Sequence, residues 1–137
     1  MKKFLAVSLV VLLVSVAFAQ VEKPVPVEDI IKKVDELRGM KVEFTQYNKD
    51  MKGKITEGSG KVVKIMPPMP FGKMNRVAIL SPGSNPSEGY NVILFTAQNP
   101  MMELNIGQTI KFRGSFDRAS SKWAVVDVTG AYEAEKK

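Results

Sequence analysis

Between Val27 and Leu37 the apolar positions fall at 27, 30, 31, 34 and 37, the spacing of one face of a helix. Glu28 and Asp29 stand early in this run and Arg38 late, as the helix dipole favours, and Gly39 supplies a stop. The next stretch, MKVEFTQYNKDMKG, supports two readings. KVEF alternates like a strand, whereas Thr45 can cap a short helix that runs through Met51 and ends at Gly53; helix is favoured. A helical segment is therefore expected over residues 27–52. Residues 20–26 contain two prolines and read as an extended, mobile lead-in.

From Gly53 onward the pattern changes to strands and turns. KITEGSGKVVKI reads as one long strand with Gly58 and Gly60 in its middle, where glycine marks a bulge or a sharp bend. RVAIL is a short strand, and SPGSNPSEG is a loop of turn formers. YNVILFTA is apolar on both faces, the mark of a central strand. QNPMMELNIG reads as a linker with one helical turn. QTIKFRGSF alternates, with Ile110, Phe112 and Phe116 on one face and Thr109, Lys111, Arg113 and Ser115 on the other. DRASSK reads as a turn, WAVVDVTGAY as the last strand, and residues 133–137 as a solvated tail.

Five strands with a bent first member fit a small Greek-key barrel, because the first strand of such a barrel pairs with both halves of the sheet. The expected fold is mainly β, a five-stranded OB-type barrel over 53–132 preceded by the helical segment, with a β-sandwich as the alternative. The expected core is Val63, Ile65, Ile79, Val92, Leu94, Ile110, Phe112, Val126 and Val128.

The first twenty residues, MKKFLAVSLVVLLVSVAFAQ, change the picture of where the chain works. Two lysines, an apolar run and an Ala-Phe-Ala site match a secretory signal peptide over 1–19. An uncleaved anchor is the rival, but the run is short for a membrane span. No cysteine follows it, so a lipid anchor attached through cysteine is excluded. The expected location is periplasmic or extracellular, with no transmembrane segment after cleavage. The remaining domain, about 118 residues, has no cysteine and must be held by its apolar core without disulfides. Without Lys2 and Lys3 it carries 18 basic against 14 acidic residues, too mild an excess to argue for nucleic acid by itself.

Much chemistry is missing. There is no histidine to act as a base or zinc ligand, and no cysteine nucleophile. No P-loop, nucleophile elbow or EF-hand loop occurs. GSGKV at 58–62 lacks the spacing of a phosphate loop and reads as a strand bend. Asp117 and Asp127 are the remaining candidates for a carboxylate pair, but their expected places are a loop and a solvated strand face. A non-enzymatic protein without a cofactor is expected.

MKGKITEGSGKVVKI, YNVILFT, LNIGQTIKFRGSF and VVDVTGAY together resemble the tRNA-anticodon-like OB-fold family of small exported bacterial proteins. Leu104, Gly107, Ile110, Phe112 and Gly114 fit the family's approach to its fourth strand, and the resemblance covers roughly residues 52–132. It implies the barrel and not a chemistry.

In that barrel the ligand face lies on the second and third strands, bordered by the loop after strand one and the loop after strand four. Lys64, Lys73, Arg76, Arg118 and Lys122 lie on or beside these loops, and Phe71 and Trp123 add aromatic surface. Cations beside aromatics suit a groove that stacks bases or sugars and tracks an anionic polymer. A protein partner or an anionic polymer, glycan or nucleic acid, is the expected ligand class. A structural envelope domain without a small ligand is the alternative. The first loop, MPPMPFGKM, offers Met66, Met69 and Met74 as soft donors for Cu(I). Packing is the favoured reading, since methionine fills irregular gaps and neither histidine nor thiolate is present to complete a site. Lys111 and Arg113 read as solubilising residues.

Overall fold

The computed structural model describes residues 23–70, 72–82, 89–120 and 124–134. Strand β1 is Val25–Pro26; helices α1 and α2 are Val27–Glu36 and Lys41–Met51. Strands β2, β3 and β4 follow at Ile55–Met66, Asn75–Leu80 and Val92–Thr96. A single turn of helix, α3 (Pro100–Glu103), leads to β5 (Thr109–Ser120) and β6 (Val125–Ala134).

Five strands close into a barrel in the order β2-β3-β4-β6-β5, with β5 returning to β2. Only β4 and β6 run parallel; the other barrel pairs are antiparallel. This is the OB-type barrel, and the sandwich alternative falls. The long first strand divides its pairing. Residues 55–61 bond to β5 and residues 61–66 to β3. A line across the ladders from Met66 through Arg76, Phe95, Thr129 and Ser115 comes back to β2 at Ile55, eleven positions earlier. Closing five strands requires such a stagger, so β2 has to be long.

The apolar stripe of α1 is buried as its spacing predicts: Val27, Ile30, Ile31, Val34 and Leu37 all face the core. Residues 41–51 are helix, and they add Phe44 and Met51. The helical segment expected over 27–52 is two helices broken near Gly39, as expected, but the second starts at Lys41, so Thr45 lies inside it and is not its cap. Gly58 shows why they dock here. A Cβ on Gly58 would overlap the side chain of Val27 and press on the ring of Phe112, so its absence lets α1 settle onto β2. On α2, Tyr47 meets Phe116 edge to face with ring centroids 6.5 Å apart.

Three expectations need correction. Val63 is not in the core. The register of β2 against β3 shifts between Val62 and Lys64, so Val63 is the extra residue of a bulge, and Val62 is the residue fully buried. The bulge also reverses the inward parity beyond it, leaving Ile65 half-buried against the core rim. The end of the lead-in is extended but tied down: Val25 and Pro26 pair in parallel with Thr56 and Glu57, and the buried Thr56 hydroxyl donates to the Val25 carbonyl at 2.7 Å. Lastly, Asp117–Ser120 is not a turn. These residues continue β5 past a second bulge and pair with β6. The remaining expected core residues, Ile79, Val92, Leu94, Ile110, Phe112, Val126 and Val128, are buried. Among the described residues no helix is long and apolar enough to cross a membrane.

Candidate functional site

Alternation along β3, β4 and β6 sets the outer wall of the barrel. Val77, Ile79, Val92, Leu94, Val126 and Val128 point inward, so Arg76, Ile93, Phe95, Asp127 and Thr129 point outward. Register then fixes which outward residues are neighbours. One row runs Lys64, Ala78, Ile93, Asp127, Arg118; the next runs Arg76, Phe95, Thr129, Ser115. Ile93 and Phe95 are half-buried, side by side on β4, with an arginine toward either flank.

Both arginines are tethered. Arg76 donates from Nε and Nη2 to the carbonyl oxygen of Pro67, at 3.1 and 3.0 Å, and so holds the loop 67–74 against the start of β3. Arg118 donates from Nε to Asp127 Oδ2 at 3.2 Å. The Asp127 side chain is 14% exposed, while that of Arg118 is 76% exposed, so the carboxylate belongs to the wall and the guanidinium to its surface. Burial raises the Asp127 carboxyl above its ordinary value; the bond and charge of Arg118 oppose this, Asp117 adds to it, and Arg76 opposes it from further off. Asp117 itself faces Lys52 at 3.9 Å. The two carboxylates are each paired with a cation, and Asp127 is not on a solvated face as its place in the sequence implied.

The predicted site residues divide accordingly. Arg76 and Arg118 both act on Asp127 and belong to one surface. Lys64 shares the row but sits four strands from Arg118, about 19 Å along a curved wall. Lys73 is exposed on the loop before β3. Phe71, Lys122 and Trp123 lie outside the described residues. Of the methionines, Met66 ends β2 half-buried, while Met69 and Met74 are exposed. Among the described residues no group of histidine, cysteine or carboxylate side chains could hold a metal ion. The loop is folded rather than extended at its tip, where the Gly72 N–H donates to the Met69 carbonyl at 2.8 Å.

Ile93, Phe95 and Asp127 were missed as site residues. Their signal was present: YNVILFT is apolar at both parities, and in a closed barrel one parity must face outward. The two bordering loops approach this face from opposite ends, since Asn75 pairs with Thr96 whereas Val126 pairs with Val92. The result is a shallow, diagonal, partly apolar surface suited to contact rather than to enclosing a small molecule. In comparisons with known proteins, no family model and no curated protein matches this chain.

Proposed function

We propose that the protein is an exported, non-enzymatic OB-type binding module, periplasmic or extracellular, which holds a protein partner on the outer face of β3, β4 and β6. One observation carries the choice of ligand class. At the centre of the face, Ile93 and Phe95 are half-buried between two tethered arginines, Arg76 hydrogen-bonded to the Pro67 carbonyl and Arg118 ion-paired with Asp127. An aromatic and an aliphatic anchor within a rim of tethered arginines is the composition of a protein interface centre. An anionic polymer needs a continuous track of cations, and here Arg118 is paired with Asp127, whose charge stands where the polymer's would pass. The resemblance to the tRNA-anticodon-like family is compatible with this reading, because it concerns the barrel alone. A structural envelope domain is the remaining alternative.

The test is site-specific crosslinking in the producing cell, with p-benzoylphenylalanine in place of Ile93 or Phe95, and of Lys32 on α1 as a control. The same partner should be captured from 93 and 95 but not from 32, and Phe95→Ala should weaken that complex about 10–30-fold. Absence of a shared adduct from 93 and 95 would sink the reading. Tight binding of a single-stranded oligonucleotide or a sulfated glycan that falls steeply with salt would replace it with the polymer reading.

A further inference from the structure

Five of the large apolar side chains exposed among the described residues sit on two neighbouring segments at one end of the barrel. Met101 and Met102 on α3 are 70% and 82% exposed, and Ile106 in the following turn is 62% exposed. Met69 and Met74 project from the loop between β2 and β3. Register brings the two segments to the same end. Asn75 opens β3 opposite Thr96, the last residue of β4, and its side-chain Nδ2 donates to the Gln98 carbonyl at 2.9 Å. From Gln98 the chain crosses the barrel mouth to Gly107, whose N–H donates to the Val62 carbonyl at 2.7 Å.

The directions of these side chains follow from α3. Pro100 and Leu104, one turn apart, are buried against the barrel, so Met102 between them points the opposite way, into solvent. The core therefore uses one side of this turn and leaves the other side apolar and uncovered. Isolated exposed apolar residues need no explanation, but a cluster of this kind marks a contact surface.

Charge decides what it contacts. Lys61, Lys64 and Lys73 are exposed on β2 and the adjoining loop. Two carboxylates stand at this end and are outnumbered by its lysines: Glu103 accepts from the Tyr132 hydroxyl at 3.0 Å, and Glu133 stands opposite Lys111 on the ladder. Exposed apolar side chains with lysines nearby match an anionic bilayer interface, into which such side chains sink about 5–10 Å while the lysines stay at the headgroups. We infer that this end of the barrel is a peripheral membrane-docking surface for anionic phospholipid. It adjoins the β3–β4–β6 face at Lys64 but does not depend on the reading given for that face.

Because the chain has no cysteine, a single introduced thiol can report locally, in the full chain, whatever residues 1–19 do. Met102→Cys and Lys49→Cys are each labelled with an environment-sensitive fluorophore. Position 49 lies on α2 beside Asn48, which bonds Ala119 near the far end of β5. Vesicles of phosphatidylcholine with one third phosphatidylglycerol should shift the label at 102 to a water-poor emission and leave the label at 49 unchanged. Lys73→Gln should raise the lipid concentration needed about fivefold. A label at 102 that stays water-like with these vesicles overturns the inference. So does a shift in the absence of vesicles that grows with protein concentration, which would assign the patch to a second copy of the chain.

Discussion

The carboxamide of Asn48 on α2 grips both backbone polar groups of Ala119 on β5: its Oδ1 accepts from the Ala119 N–H at 2.7 Å and its Nδ2 donates to the Ala119 carbonyl at 3.3 Å. Strand β5 outlasts its neighbour β2 here, since the β2 side ends with Gly53 and Lys54 bonding Phe116. One side chain thus stands in for a missing strand residue. Asn91 does the same for Ser81, and Gln98 for Tyr132. Replacing Asn48 with leucine strands two backbone groups away from their partners, and a loss of about 2 kcal/mol is expected. Thermal unfolding should show the drop. Asn48→Asp keeps the acceptor but sets a carboxylate against the Ala119 carbonyl, so its defect should shrink as pH falls. Equal stability of the leucine variant and the wild type would refute the clamp.

Gly58 and Val27 define a second coupled pair. Gly58→Ala places a methyl group on the Val27 side chain, and a cost of about 1–3 kcal/mol is expected from overpacking. Val27→Ala alone leaves a cavity. Combined, the two changes relieve each other, and the double-mutant cycle should return a favourable coupling above about 0.5 kcal/mol. Strict additivity in denaturant unfolding would mean that α1 does not seat through Gly58.

These pairs explain how much was legible in advance. Helix α1 and the split pairing of β2 follow from local pattern, since the helical period and a mid-strand glycine are properties of neighbouring residues. Val63 was misplaced because a bulge is decided by the facing strand, and Val62 and Val63 are equally apolar. The clamp of Asn48 on Ala119 spans 71 residues, so no local rule contains it. The candidate face was half visible: its arginines drew notice by charge, whereas Ile93 and Phe95 were hidden inside a strand that reads as core.

Asp127 makes one side of that face pH-dependent. Burial, opposed by Arg118, holds its carboxyl above the ordinary value of 3.8, so ionisation is harder in the folded chain than in the unfolded one. The associated stability is fully present below the unfolded value and is lost as pH rises through the raised folded value. Arg118→Gln removes the nearest support of the carboxylate and should raise that folded value further. Its cost should be under about 1 kcal/mol at neutral pH, given the exposure of the guanidinium, and should vanish below about pH 3.8. Melting curves of both proteins across this range provide the check; an equal deficit at both ends would assign the effect of Arg118 to packing.

The loop MPPMPFGKM is held by an arginine. Arg76 spends two donors on the Pro67 carbonyl, and the Gly72 N–H closes a turn onto Met69. Its sulfur donors differ in exposure: Met66 is half-buried at the end of β2, while Met69 and Met74 are exposed on the loop beyond. Thioethers are neutral, and without a histidine or a thiolate a Cu(I) ion would gain little here. Arg76→Met deletes both donors while keeping an unbranched apolar stem, so it isolates the clamp. Hydrogen exchange at Gly72 should speed up at least about tenfold, the loss of roughly 1.4 kcal/mol of local protection, while Val77 in the core of β3 is unchanged. Anaerobic Cu(I) titration of the wild type should show no stoichiometric uptake. Uptake that disappears in a Met66→Leu/Met69→Leu variant would reverse the assignment, because only converging sulfurs could then account for it.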